Sequence, residues 1–322
     1  MKIGVLTVLL ANRPLEEALD YLKDLGLEAV EIGCGAYPGE AHCKPLDLLS
    51  SDKKLKAFEQ AIKSRGFIIS ALSVHGNPLH PDKRIAKDHH KAFENAVKLA
   101  RKLEVDRVIT FSGCPGSDKK AVLPSWIVAP WPPEFFEALQ WQWKERVIPY
   151  WKSAVKLARG HGIKKIALEM HPNFVVYNPE TLLKLRDAVG PEIGGNFDPS
   201  HLFWQGVDIG AAIRACGDAI YHFHAKDSAV NPYVASVNGV LDVKPLTDEY
   251  NRAWIFRTVG HGHDQLYWNN IVSQLRMAGY DSVLSIEHED SLMSADEGLR
   301  KAIQFLQGTL IHEKPGIAYW AQ

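Results

Sequence analysis

At 322 residues, 46% of them apolar and 23% charged, the chain has a globular composition and the length of one large domain or two ordinary ones. A formal net charge of −1 speaks against a broad nucleic-acid-binding face and against an anionic membrane partner.

Met1–Leu10 reads as an apolar strand. Pro14 opens a helix in which Leu15, Ala18, Leu19, Leu22 and Leu25 keep helical spacing, with Gly26 as its stop. Ala29–Ile32 is a second strand, and Leu55, Phe58, Ala61 and Ile62 mark the next helix. Phe67–Val74 is a third strand, followed by the histidine-containing loop H-G-N-P-L-H-P. A helix around Ala92–Leu103 leads to strand Arg107–Phe111. Residues 114–133 then carry five prolines with Trp126 and Trp131, too many for a regular element. A long helical pattern runs through Trp141, Val147, Trp151, Val155 and Leu157 to Gly160. Strands Lys165–Met170, Glu192–Phe197 and Ile220–Ala225 follow, separated by helices Pro179–Val189 and Ile209–Ala215. After a long loop come a helix near Trp268–Ala278, strand Ser282–Glu287 and a last helix near Ala295–Leu306.

Eight strand–helix alternations without a composition break predict one α/β domain spanning 1–322, a closed (β/α)8 TIM barrel with insertions at about 114–133 and 228–263. The rival, a doubly wound sheet, lacks a G-x-G-x-x-G after the first strand. No stretch reaches the ~18 apolar residues of a membrane span, and the first residues show no clear signal-peptide cleavage pattern. Cys34, Cys43, Cys114 and Cys216 are scattered, without a C-x-x-C pair, as expected of reduced thiols in a cytoplasmic protein.

Four strands end in a residue that apolar packing does not explain: A-L-E at Glu169, N-F-D at Asp198, H-F-H at His224 and S-I-E at Glu287. An unpaired buried charge costs several kcal/mol, so one shared partner at the C-terminal mouth of a barrel would account for all four. Three carboxylates and an imidazole suit one divalent metal, Mn²⁺ first, with Mg²⁺, Co²⁺ or Zn²⁺ as alternatives.

In L-E-M-H-P, N-F-D-P-S-H, H-F-H-A-K-D and S-I-E-H-E-D the chain resembles the xylose isomerase-like, endonuclease IV-like barrel superfamily, in particular its sugar isomerase/epimerase branch. The resemblance implies Glu169, Asp198, His224 and Glu287 as metal ligands. It implies Glu169 and Glu287 also as the pair that removes and returns a proton beside the carbonyl of a ketose or keto-sugar, through a metal-stabilised enediolate. His201, three residues after Asp198, is implied in substrate binding. The chain departs from the family's epimerases just after the metal histidine, where Lys226-Asp227 stands in place of an arginine.

Other residues at the mouth are candidates by position. His171, two residues beyond Glu169, is a candidate acid or base, or else a histidine bonded to loop backbone. His75 and Lys226 are expected at the substrate. The loop of about thirty residues after the seventh strand reads as a lid, with Arg252, Trp254, Arg257, His261 and His263 contributing contacts, or else as a surface or subunit loop. Cys114 reads as inert, His89 and His90 as surface residues, and the Trp141, Trp143 and Trp151 run as helix packing or a subunit contact.

The leading expectation is a metal-dependent sugar isomerase/epimerase. Its alternative is a lyase cleaving 3-keto C- or O-glycosides by β-elimination. Phosphodiester hydrolysis and a non-catalytic sugar-binding role stand further back. Expected partners are a small sugar or glycoside and further copies of the chain, with a second small subunit in the lyase case, and neither nucleic acid nor membrane.

Overall fold

A computed structural model of the chain describes residues 1–314, 316 and 318–321. Its strands are β1 (Lys2–Leu6), β2 (Ala29–Gly33), β3 (Ile68–Ser73), β4 (Arg107–Phe111), β5 (Lys165–Glu169), β6 (Ile193–Phe197), β7 (Ile220–Ala225), β8 (Asp227–Val230), β9 (Trp254–Arg257) and β10 (Val283–Ile286). All but β8 and β9 close into one parallel barrel, β10 pairing with β1 from Lys2↔Val283 to Val5↔Ile286. The predicted (β/α)8 barrel is therefore the observed fold.

Helices cover the outside because their apolar residues fall on one stripe. Lys83–Lys102 buries Phe93, Ala96, Val97, Leu99 and Ala100 and begins at Asp82, whose carboxylate accepts from the Arg84 and Ile85 amides. This helix starts well before the expected Ala92 and takes in His89 and His90, which are not simple surface residues. His89 Nδ1 accepts from the Asn77 amide at 2.8 Å, and His90 Nδ1 lies 3.1 Å from the Tyr150 hydroxyl. The tryptophan run is helix packing in part: Trp151 is fully buried and donates to Ser112 O at 2.9 Å.

Both insertions sit at the C-terminal end of the barrel. The 114–133 segment is irregular, as its prolines require, and is held from the following helix. There a π-helical turn, Gln142–Val147, buries Gln142, whose amide donates to Pro115 O, Gly116 O and Ser125 O. The second insertion is more ordered than a loop. β8 and β9 form an antiparallel ribbon, Asp227↔Arg257 to Val230↔Trp254, with helix Pro232–Asn238 between them. Among the described residues, no helix is long and apolar enough to cross a membrane.

Candidate metal centre and adjoining cavities

Glu169, Asp198, His224 and Glu287, distant in sequence, come together at the barrel mouth, each offering an atom within 4.8 Å of the others. Glu169 ends β5, Asp198 follows β6, His224 lies in β7 and Glu287 follows β10. Parallel strands in one barrel deliver their last residues to one end, which is why four similar strand patterns converge.

The donor set fits a divalent cation. Asp198 Oδ2, His224 Nδ1 and Glu287 Oε2 are buried and none makes a hydrogen bond of good geometry, although Glu287 Oε2 lies 3.0 Å from His224 Nδ1 and 3.2 Å from Lys226 Nζ. Buried polar atoms are normally satisfied, so three unsatisfied ones facing a common point call for a shared partner. His224 makes the case sharper. Its Nε2 donates to both Glu31 carboxylate oxygens at 3.1 and 3.0 Å, so the neutral ring turns a lone pair on Nδ1 toward Glu287 Oε2 at 3.0 Å and Glu169 Oε2 at 3.3 Å. A lone pair against two carboxylates is repulsive unless a proton or a metal stands between them. Without the ion, burial disfavours the imidazolium, but Glu31 and Glu287 outweigh it and the ring holds its proton far above the usual range.

Glu169 accepts from Asn196 Nδ2 at 2.9 Å and lies 2.9 Å from His75 Nε2 and 3.2 Å from His201 Nε2. Burial alone would raise its carboxyl; the His75 charge and the bond from His201 bring it well below the carboxylate range. Burial likewise works against ionised Glu287, yet Lys226 and His224 keep its carboxyl lower than usual. At Asp198 burial wins and the carboxyl is raised. Lys226, buried, approaches Glu287 at 3.2 Å and Glu289 at 2.5 Å. Burial opposes its charge, but those glutamates hold the proton on. The site thus offers one fixed ammonium beside the carboxylates, with the ring of Phe256 4.3 Å above it.

Below the ligands the barrel interior is polar. Ser70 donates to His222 Nε2 at 3.2 Å, His222 Nδ1 to Asn196 Oδ1 at 2.9 Å, and Asn196 passes the bond to Glu169. Ser73 and Ser285 donate to Glu31. Sequence reasoning places Glu31 at the active end of the second strand without a role and misses His222 and Asn196, although His222 stands two residues before His224 on the same strand face. The strand register shifts by one residue beside Glu31 and beside Asn196, Ser70 of β3 and Tyr221 of β7 being the extra residues.

His75 and Lys226 line a cavity of about 200 Å³ over Glu169 and Glu287. His171 and Glu289 line both this cavity and a larger one of about 610 Å³, whose walls include His201, Trp254 and Phe256. His171 is half-buried against the His201 ring at 4.1 Å, with Nδ1 2.6 Å from Pro172 O, and desolvation lowers it to about 3.

Arg257 and His261, expected at the substrate, line neither cavity. Arg257 pairs with Asp290 at 3.2 Å, and His261 is exposed in the turn that closes the insertion. His263 is likewise held away, stacked on Phe203 at 3.8 Å and bonded to Asp227 at 2.7 Å. The reason is the V-G-H-G-H turn. Asp227 Oδ2 accepts the amides of Gly260, Gly262 and His263 and the indole of Trp268, so this stretch fastens the insertion and does not overhang the metal ligands. Cys114 is buried, and burial pushes its thiol up to about 12.

A family model described as Xylose isomerase-like TIM barrel matches residues 19–309. The chain is 40% identical over 312 residues to the uncharacterized protein YfiH of Bacillus subtilis (strain 168), covering 96% of this chain and 99% of that one. Similar solved structures include the probable 3-DHS dehydratase AsbF from Bacillus anthracis (16% identical, 95% and 99% of the chains covered, TM-score 0.66). They also include the IolI protein with a bound zinc atom (19%, 96% and 98%, TM-score 0.64) and a D-tagatose 3-epimerase-like protein (21%, 95% and 97%, TM-score 0.62). At these identities the structures establish a common fold.

Proposed function

The chain belongs to the xylose isomerase-like TIM barrel family, and from that premise we propose that it is a divalent-metal-dependent isomerase or epimerase of a ketose or keto-sugar. The observation that carries the reading is the group of four ligand atoms, three of them buried and unsatisfied. Sugar 3-epimerases among the structural neighbours support the same reaction class.

Glu169, Asp198, His224 and Glu287 would hold the ion, Mn²⁺ first on the chemistry of the donors, with zinc an alternative that the IolI structure supports. When bound, it supplies a Lewis-acidic charge against the carbonyl oxygen of the sugar. Glu169 and Glu287 are two carboxylates bordering the small cavity, both kept ionised by their neighbours, so each can take up a proton from the carbon next to that carbonyl. His75 and His201 steady Glu169, and Lys226 places a fixed positive charge beside Glu287. His171, kept neutral by desolvation, borders the sugar as a hydrogen-bonding group.

A second reading, β-elimination from a 3-keto C- or O-glycoside, is favoured by the larger cavity beyond His171 and Glu289, which gives a leaving group somewhere to lie. Incubating the Mn²⁺-loaded chain with ketoses and 3-keto glycosides in D₂O, followed by NMR, tests both. Deuterium at the carbon beside the carbonyl with the sugar intact supports isomerisation or epimerisation, and release of the aglycone supports elimination. No exchange and no release from any of them would refute the proposed chemistry.

A further inference from the structure

The two insertions leave a broad apolar surface in water around the barrel mouth. Neither 121–133 nor 228–241 contains a charged residue, in a chain that is 23% charged. Depletion of charge on an exposed surface is the compositional mark of an interface core. These runs are exposed. Helix Pro133–Trp141, into which the first run leads, buries none of its side chains, and helix Pro232–Asn238 of the second likewise buries none. Trp131 is 76% exposed, Tyr233 87% and Tyr250 89%, while Phe135 and Phe136 are about half exposed. At roughly 200 Å² per aromatic side chain, these five alone leave on the order of 700 Å² in water. The largest apolar patch on a typical monomer is about 300–600 Å².

The two groups adjoin. Trp126 and Val128 of the first insertion line the larger cavity together with Val240, Leu241 and Val243 of the second, and Asn231, which caps helix Pro232–Asn238, donates to Tyr250 O at 3.3 Å. Both are also fastened to the protein. Gln142 holds the first insertion through three carbonyls, and buried Arg252 donates to Trp254 O at 3.1 Å and to Lys244 O in the second. A surface already held in one shape loses little freedom when it is covered.

That shape supplies both halves of a joint. Trp131 and the aromatic helix behind it form an exposed ridge, and the larger cavity, about 610 Å³ and walled mostly by apolar side chains, is a recess beside it. A two-fold pair needs a patch that complements itself, and a ridge next to a recess meets that condition. The area agrees. With the exposed Val122, Leu123 and Val243 added, the surface reaches the ~800 Å² that each partner gives to an interface of standard size.

We propose that this surface joins two copies of the chain about a two-fold axis, the ridge of each copy closing the larger cavity of the other. The pairing does not depend on the sugar reading. It makes the outer wall of that cavity a contribution of the neighbouring copy, so the cavity is complete only in the dimer.

Sedimentation equilibrium of the full chain tests this. At ~10 µM a species of twice the 36.0 kDa chain mass is expected. Trp131→Glu on the ridge and Val243→Glu on the recess should each raise the dimer dissociation constant at least tenfold, the effect of spoiling a central contact, with the circular dichroism unchanged. Met277→Glu should leave the dimer intact, since this exposed residue ends helix Gln265–Met277 on the side of the barrel away from the mouth. A monomer in the unaltered chain overturns the proposal. Its co-sedimentation with phosphatidylcholine vesicles would then assign the surface to lipid, and co-purification with another protein would assign it to that partner. A dimer that either Trp131→Glu or Val243→Glu leaves intact also overturns it, as does one that Met277→Glu weakens equally.

Discussion

Glu31 and His224 meet on the floor of the metal centre, the imidazole Nε2 donating to both carboxylate oxygens while Nδ1 faces Glu287. The contact fixes which nitrogen is free for a cation. Glu31→Gln keeps the size and weakens that control, so Mn²⁺ affinity is expected to fall about 10- to 100-fold, the usual effect of removing such a supporting group. Titration calorimetry checks this, and unchanged affinity would deny Glu31 the role.

The same residue sets an acid limit. Burial works to raise the Glu31 carboxyl, but His224 and His222 bring it down to about 2 in the folded chain. A depressed carboxyl contributes stability above its ordinary range near 4.5, and that contribution is lost as pH falls toward 2. Metal-free protein should lose stability across this window, and Glu31→Gln should flatten the loss. Urea midpoints measured between pH 6 and 2.5 check this, and a parallel decline in both proteins would count against it.

Loading the centre should stabilise the fold, because an ion that binds only the native state adds about 2.7 kcal/mol at 100 times its Kd. Mn²⁺ is expected to raise Tm by several degrees and chelation to reverse it. Asp198→Asn should abolish the response, since it removes charge from a buried, unpartnered ligand oxygen. A thermal scan in which this variant responds like the parent would remove Asp198 from the ligand set.

Glu169→Gln and Glu287→Gln should each lower solvent-deuterium exchange into a turned-over sugar by about 10²–10⁴-fold, the range of a lost acid–base group. The comparison must be made with bound metal verified by elemental analysis. Full exchange in both variants would remove the pair from proton transfer.

Gly262 lies where a Cβ would come within 2.3 Å of Ser228 O and 2.5 Å of Asp227 Oδ1. Gly262→Ala should cost about 1–3 kcal/mol, the scale of overpacking, and should open the second insertion to proteolysis before the barrel. Limited proteolysis with a thermal scan reads both effects; indistinguishable behaviour would mean the turn accommodates the methyl group.

Much of the barrel was legible because each strand is a short apolar run and each outer helix carries a one-sided stripe. Glu169, Asp198, His224 and Glu287 stood out because a charged or polar residue at the end of such a run lacks an apolar explanation. Arg257 and His261 misled because a basic or imidazole side chain in an insertion carries no period to say which way it turns; only the β8–β9 ribbon and its anchor at Asp227 decide that. Asn196 was hidden for the opposite reason. Inside a strand it reads as ordinary alternation, and its part emerges only when His222 and Glu169, far off in sequence, become neighbours.

Lys226 and Asp227 are consecutive, yet one addresses Glu287 and Glu289 while the other gathers the amides that seat the second insertion. A single peptide unit therefore joins the reacting centre to the wall that shapes its surroundings. The ribbon cannot be reseated without tugging on the ammonium, so lengthening or swapping this insertion to accept new molecules must preserve the Lys-Asp junction or forfeit the chemistry beneath it.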